Sequence, residues 1–551
     1  RNSIMLDVLV FVITLIWITG TCVRIYRQAR FYQIEEYMSG RTLRWLFAKR
    51  DRWLPTRPTA AALIGSVFAF LSEAPESIFP AIIGIVAAII AVIPPDEGEI
   101  KKKFRATDRA KRMLGAAFVV TALLMLLGAA VINGAISSAE FRGIVLTLFG
   151  WLIFLGAPLW LIAGNLLMTP VEAFFRRQFI NRARHVLERV NPTVIGITGS
   201  YGKTTTKVFL AHILNGRYHA YPTPKSYNTL MGVCIAINND IANDQRVEYF
   251  IAEMGAYVPG EIERIAELTH PTISVVVEVG PQHLERFGDL DTVATAKYEI
   301  IKALPPDGVG VFNWDNPYIR AMIERGYPAT RLAVSRQIDP ANPPPNPPRF
   351  VASEINETLD NLIFRVTDLE TGATEVFVTS VVGEHNVTNI LLATAVAVQE
   401  GMALKEIAGR VRTLQPAESR LTRQTTAQGI TIINDAYSAN PVGVIGSLKV
   451  LALHQTGKRL LITPGMVELG SLMEQENRKL GEIAAQHATD VILVGSKQTE
   501  PIQAGLLSAG FPTDRLHVVE TLAEAVNWYQ SNLKAGDTVL FLNDLPDTYS
   551  A

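Results

Sequence analysis

The 551-residue sequence predicts an α-helical membrane domain followed by α/β structure. The α/β part reads as a phosphate-loop (P-loop) central domain with a mostly parallel sheet, then a Rossmann-like C-terminal domain. Three observations carry this. The first third holds repeated apolar runs separated by arginine-rich loops. Thr193 to Val208 reads T-V-I-G-I-T-G-S-Y-G-K-T-T-T-K-V, a β-branched strand that breaks into a glycine turn and then a helix. Beyond it, short apolar strands alternate with helical stretches in two successive blocks.

Composition sets outer limits. The formal net charge of -1 argues against a general nucleic-acid binder. Cys22 and Cys234 are the only cysteines, so neither a disulfide framework nor a zinc site can be built from them. The sequence opens on Arg1 instead of methionine, so the true start is expected upstream.

Residues 1–169 are expected to form the membrane domain, with about five spans. These are Ser3 to Val23, Thr59 to Ser72, Ser77 to Pro94, Leu114 to Ile136 and Arg142 to Met168, the last interrupted at Gly156-Ala157-Pro158. The second is short enough to be re-entrant. Basic residues cluster in Arg24 to Arg57, in Lys101 to Arg112 and in Arg176 to Arg184, whereas the turn at residues 73–77 is acidic. The positive-inside rule then puts the N-terminus outside and the basic loops in the cytoplasm of a multi-pass plasma-membrane protein. An odd number of spans delivers the phosphate loop to the cytoplasm as well. Arg24 to Trp53 interleaves arginines with aromatics, which reads as an interfacial helix on the headgroups or as a surface for an anionic, lipid-linked substrate. No ionisable residue sits deep inside a span, apart from Asp7 near the start of the first, so a transporter is disfavoured.

Residues 170–190 carry apolar side chains at helical spacing and are expected to form a connecting amphipathic helix. Residues 191–414 then make the central domain and 415–551 the C-terminal one. In the turn, glycines let backbone amides converge on an anion at a helix N-terminus. Lys203 would meet the phosphates and Thr204 a Mg²⁺ ion. Ile197 stands where an eight-residue P-loop has its first glycine, so the loop is of a distinct subtype.

Three more residues suggest chemistry. Glu253 ends a strand, where open α/β sheets bind ligands. His283 follows the next strand, and Lys297 lies on the helix after it. A carboxylate suits Mg²⁺, although an imidazole is an unusual ligand for it. Taken singly, Glu253 could cap a turn, His283 could be a loop histidine and Lys297 a solvated lysine.

Taken in order, the motifs resemble the Mur ligase family. They are T-G-S-Y-G-K-T-T-T, Y-N-T-L-M-G at Tyr227, E-M-G-A, H-L-E-R-F-G, A-K-Y-E-I, F-N-W-D-N-P at Phe312, G-E-H-N-V-T-N at Gly383, N-D-A-Y-S-A-N-P at Asn434 and G-M-V-E-L-G at Gly465. The resemblance implies an ATP-dependent amide ligase of peptidoglycan assembly, working through an acyl phosphate. Such an enzyme adds an amino acid or D-Ala-D-Ala to a muramoyl-peptide, here either UDP-linked or lipid-linked. It implies ATP and two Mg²⁺ ions as cofactors. Gly199, Ser200, Gly202, Lys203, Thr204, Thr205, Asn386, Asn389, Arg420 and Asp435 would hold the nucleotide. Thr204, Glu253, His283 and Lys297 would hold metal, Lys297 as a carbamate, and Asn228 and Thr229 would face the muramoyl substrate. Lys203, Glu253, His283 and Lys297 form the implied catalytic set.

Four departures qualify the pattern. The membrane domain stands in place of the family's UDP-binding domain. Gly465 replaces an aspartate, Asn434 and Ser438 replace an aspartate and an asparagine, and Leu542 to Tyr549 replaces K-G-S-R. They leave open a ligase for another carboxylate, such as poly-γ-glutamate, and a non-catalytic membrane scaffold.

Overall fold

The computed structural model of the chain describes residues 2–34, 37–72, 79–95, 104–418, 420–437 and 440–543. It divides into two compact units, Arg1–Gln178 and Phe179–Ala551.

The first unit is helical: α1 (Asn2–Ile34), α2 (Ser39–Phe47), α3 (Arg50–Trp53), α4 (Thr56–Leu71), α5 (Phe79–Val92), α6 (Asp108–Ala135), α7 (Ala139–Leu155) and the start of α8 (Ala157–Val190). Three stretches, Asp7–Ile34, Asp108–Ala135 and Ala157–Val190, are long and apolar enough to cross a membrane. Helices α4, α5 and α7 are apolar but shorter.

Small residues let these helices touch. A Cβ on Gly84 would meet Ile13 and Thr147, one on Gly20 would meet Val92, and one on Gly150 the Trp17 ring. The pairings fix direction: α1, α5 and α7 run parallel, and α4, packed on α5 through Gly65 and Ala87, returns the chain between them. Gly128 faces Phe149 and Gly164 faces Ala117, so α6 runs antiparallel to the whole α7–α8 path.

Two expectations change here. The fifth span and the connecting helix are not separate elements. A single residue, Gly156, parts α7 from α8 and kinks the path without reversing it, and α8 then continues through Pro170 to Val190. Proline costs one hydrogen bond and bends a helix without necessarily ending it. Nor is Arg24 to Trp53 one interfacial helix, because α1 runs on to Ile34 and the remainder forms α2 and α3. Arg24 is drawn inward: Nη1 donates to Phe154 O (2.9 Å) in the last turn of α7, and Nη2 to Arg52 O (3.0 Å). The acidic turn at 73–77, Lys101 to Lys103, Ser438 and residues 544–549 lie outside the described residues.

In the second unit the central domain begins with β1 (Thr193–Thr198), α9 (Lys203–Leu214), β2 (Ala220–Pro222), α10 (Leu230–Asn239), β3 (Tyr249–Glu253), α11 (Glu261–Thr269) and β4 (Ile273–Val276). It continues with α12 (Leu284–Phe287), α13 (Leu290–Lys302), β5 (Val309–Asn313), α14 (Pro317–Glu324), β6 (Thr330–Ser335), β7 (Phe350–Glu357), β8 (Leu362–Asp368), β9 (Thr374–Thr379), α15 (His385–Gln399) and α16 (Leu404–Val411). The nine strands are ordered β2-β3-β1-β4-β5-β6-β7-β8-β9, parallel up to β7 and antiparallel at the β8–β9 end. Strands β1 and β4 are buried on both faces, hence rich in β-branched residues and free of charge. Residues of α9, α15 and α16 fill one face of the sheet, and those of α10, α11 and α13 the other.

The C-terminal domain holds β10 (Thr422–Thr425), β11 (Thr431–Asp435), α17 (Pro441–Leu453), β12 (Arg459–Thr463), α18 (Met473–His487), β13 (Asp490–Val494), α19 (Glu500–Ser508), β14 (Leu516–Val519), α20 (Leu522–Asn532) and β15 (Thr538–Leu542). Its order is β10-β11-β15-β12-β13-β14, parallel except for β10. That polar edge strand carries no apolar signal in the sequence.

Helices α18 and α19 meet backbone to backbone. A Cβ on Gly505 would lie 2.1 Å from Arg478 O, and one on Gly481 2.2 Å from Ile502 O. Gly505→Val should therefore lower stability by about 1–3 kcal/mol, read as a fall in the thermal midpoint. Gly409→Ala, where a Cβ meets nothing within 4 Å, should be neutral or slightly stabilising.

Candidate active site

The site forms at the carboxyl ends of β1, β3 and β4. Strand β1 lies between β3 and β4, so the order of the sheet reverses there, which is where open α/β sheets leave a crevice. Gly202 has φ +75°, and a Cβ on it would come within 2.7 Å of Asn389 Oδ1 and Val277. Only glycine fits both the backbone and the space. Helix α9 opens at Lys203 with its free amides toward the turn. Lys203 Nζ donates to Gly199 O (2.6 Å) and Ser200 O (3.1 Å). Burial pulls its pKa down to about 8; Glu253 opposes this and Arg420 adds to it.

Glu253 ends β3 in register with Ile197 of β1. Its Oε2 accepts from the Thr204 hydroxyl (3.0 Å) and from Lys207 Nζ (2.9 Å), and its Oε1 from Asn228 Nδ2 (3.1 Å). Burial pushes this carboxyl up, but Lys207, Lys203 and the hydrogen-bond donors outweigh it and hold the pKa below the usual carboxylate range. Lys207 is equally buried and also donates to Lys225 O, which ties Glu253 to the loop that carries Asn228. Thr229 acts locally, its hydroxyl capping α10 by accepting from Gly232 N (3.2 Å). Among the described residues, no three His, Cys, Asp or Glu side chains assemble into a metal cluster. The hydroxyl of Thr204 beside the Glu253 carboxylate nevertheless suits Mg²⁺, which takes one or two carboxylates and completes its shell with phosphate and water.

Lys297 projects from α13 and is 3% exposed, with Nζ 5.8 Å from the Phe287 ring centroid. It makes no ion pair among the described residues. Burial pulls its pKa down to about 7, and Lys203 acts in the same direction. His283 is engaged elsewhere: its Nδ1 meets the Glu468 carboxylate, and its ring packs at 4.5 Å against Tyr257.

A cavity of about 310 Å³ extends from the turn, lined by Thr205, Asn386, Asn389, Arg420 and Asp435 among others. The Thr206 hydroxyl donates to Asn389 Oδ1 (3.2 Å), Asn389 Nδ2 to Asn386 Oδ1 (3.0 Å) and Asn386 Nδ2 to Val382 O (2.7 Å). This chain orients both amides from α15. Arg420 stacks 4.4 Å over the Tyr437 ring, and Asp435 accepts from Leu421 N (3.2 Å) and from the Ser447 hydroxyl (2.6 Å). Gly465 has φ +88°, and a Cβ there would meet Asn477 Oδ1 at 2.8 Å, so the aspartate of the family pattern has no room at this position.

The structure adds residues that stand outside the motifs. Lys207 follows Lys203 by four residues on α9, and that helical spacing is its signal in the sequence. Glu278 lies two residues beyond the end of β4, lines the cavity and accepts from Asn313 Nδ2 (2.9 Å) and Asn316 Nδ2. Burial raises its pKa to about 7. His385 lines the same cavity with its Nδ1 buried and unpartnered.

Removing Lys207 would leave the Glu253 carboxylate buried without its cation. Lys207→Met should destabilise the protein by about 3–5 kcal/mol, and Lys207→Met combined with Glu253→Gln should recover much of that loss in denaturant titrations.

Sequence and structure comparisons point the same way. Residues 197–397 match the model of the Mur ligase middle domain, and 419–543 that of the Mur ligase glutamate ligase domain. The chain is 30% identical over 370 residues to the UDP-N-acetylmuramoyl-tripeptide–D-alanyl-D-alanine ligase of Mycobacterium leprae, covering 63% of this chain and 70% of that protein. It is 27% identical over 360 residues to the Bacillus subtilis protein of the same name, covering 65% and 74%. The crystal structure of MurF from Acinetobacter baumannii superposes with a TM-score of 0.58 at 25% identity, over 68% of this chain and 78% of that one. MurF from Thermotoga maritima in complex with ADP shares the fold, with a TM-score of 0.57 at 23% identity over 67% and 80%. With both domain matches and the relatives in agreement, the chain belongs to the Mur ligase family of ATP-dependent amide ligases.

Proposed function

We propose that this chain is a membrane-anchored ligase that joins an amine, D-Ala-D-Ala or a single amino acid, to the carboxylate of a muramoyl-peptide at the cytoplasmic face. The observation that carries this reading is the Thr204–Glu253–Asn228 chain of contacts. It joins the phosphate loop to the loop that matches the substrate-facing segment of the family.

ATP would lie with its phosphates on the turn from Gly199 to Thr204 and its base toward Asn386 and Asn389. Lys203 and Arg420 would neutralise charge as the γ-phosphoryl passes to the substrate carboxylate. The amine then attacks the acyl phosphate carbonyl, a tetrahedral intermediate forms, and phosphate leaves. Bound Mg²⁺ supplies electrostatic stabilisation of the transferring phosphoryl group. Thr204, Glu253, His283 and Lys297 would hold two such ions. Closure of the C-terminal domain, bringing Arg420 and Asp435, would keep water from the acyl phosphate.

A carbamate on Lys297 gives this reading a proton chemistry. The neutral amine adds to CO₂ and releases a proton, leaving an anionic oxygen pair. An ordinary lysine is neutral in about one molecule in three thousand at pH 7, whereas a lysine with its pKa near 7 is neutral in roughly half. Burial thus prepares the side chain to react.

The membrane assignment rests on three helices of spanning character and on helix directions that bring the C-terminal ends of α1, α5 and α7, from which the basic loops follow, to one end of the bundle. Those loops would lie in the cytoplasm and the N-terminus outside. A tethered catalyst favours a lipid-linked muramoyl-peptide over its UDP-linked form.

In nanodiscs, the protein should form ADP and phosphate only with both a muramoyl-peptide and an amine, faster with the lipid-linked donor, and Lys203→Ala should abolish turnover. ADP release that needs neither partner, or that survives Lys203→Ala, rules the reading out. With ¹³C-bicarbonate, a carbamate resonance should be strong at pH 8 and much weaker at pH 6, because only the neutral amine reacts. It should be absent from Lys297→Ala, whose activity formate should partly restore.

A further inference from the structure

Glu468 reaches from the C-terminal domain into the central one. It lies in the loop after β12 with its backbone left-handed at φ +62°. Its carbonyl accepts from Leu284 N (3.0 Å), and its carboxylate takes His283 Nδ1. His283 is itself left-handed at φ +52°. Two such non-glycine residues facing each other hold backbone strain, which persists only where neighbours over-determine it. The neighbours are present. A Cβ on Gly470 would lie in van der Waals contact with Glu285 N (3.4 Å), so the loop runs alongside α12, and Arg286 lies 4.4 Å over the Tyr257 ring that packs against His283.

A carboxylate can only accept, so the hydrogen of the neutral imidazole sits on Nδ1 and the lone pair is left on Nε2. Nε2 has no hydrogen-bond partner among the described residues. A carboxylate behind a histidine also raises its strength as a ligand.

We propose that Glu468 is a positioning residue: delivered by the C-terminal domain, it fixes the tautomer and orientation of His283, so that the Mg²⁺ site is complete only when the two domains are closed. This rests on His283 being a metal ligand, as in the proposed function. Glu468 itself touches neither metal nor substrate, and Leu284 keeps its bond to the Glu468 carbonyl whatever side chain stands there.

The test is Mn²⁺ affinity by electron paramagnetic resonance, with the full chain in nanodiscs and a non-hydrolysable ATP analogue, so turnover plays no part. Glu468→Ala should raise the Mn²⁺ Kd about 10–100-fold, His283→Ala by a similar factor, and the double variant no further than His283→Ala alone. Glu468→Gln, whose amide oxygen still accepts from Nδ1, should recover most of the affinity. Glu468→Asn, which tolerates the left-handed backbone but is too short to reach, should behave like alanine and covers the case in which the alanine variant misfolds. An unchanged Kd in both the alanine and asparagine variants, or additive losses in the double variant, overturns the proposal while leaving His283 a ligand. An unchanged Kd in His283→Ala overturns the metal reading as well.

Discussion

The ion pair between Lys207 and Glu253 is the constraint on which the rest of the site depends. Both groups are almost wholly buried, and a carboxylate at the end of a central strand stays ionised there only with a cation against it. The pair does more than offset burial. Through Thr204 it fixes the first turn of α9, and through Asn228 and Lys225 it fixes the following loop. Two segments that bring different reactants in the proposed reaction are thus held by one carboxylate.

Around that pair the site concentrates positive charge in a poorly solvated place. Lys203 lowers the proton affinity of Lys297, and Arg420 lowers that of Lys203. In a protein without anionic partners this would be a costly arrangement. In an enzyme that gathers a triphosphate and a carboxylate it is preorganisation, since the opposing charges arrive with the substrates. The carbamate proposed on Lys297 would carry the same reasoning further, giving the cluster an anion of its own.

Much of this was legible in the chain itself. The phosphate loop, the strand ending in Glu253 and the alternation of strands and helices follow from local pattern, because a doubly covered parallel sheet demands continuous apolar strands. What was not legible depends on distance or context. No local signal joins His283 to Glu468, which lie 185 residues apart. The polar edge strand β10 is held by pairing with β11 and by Arg423, which reaches Asp360 (2.7 Å) some sixty residues back in the chain. Pro170 and Gly156 look alike as helix breakers, yet the helix kinks at one and runs on through the other, because packing decides which hydrogen bond can be given up. Gly465 shows the converse: its departure from the family pattern was visible, and its reason, a left-handed backbone against Asn477, was not.

The short helices of the first unit bear on the bilayer itself. With 16 and 14 residues, α4 and α5 are about 24 and 21 Å long, against a hydrocarbon layer of about 30 Å. Over the described residues neither covers that layer by itself, and their contact at Gly65 and Ala87 makes them a pair. In the membrane placement proposed above, lipids beside that pair would shorten, whereas those beside α1 and α6 would not. So placed, the bundle would present a thin flank and a thick one, and hydrophobic mismatch would draw it toward thinner patches of membrane and orient it within them.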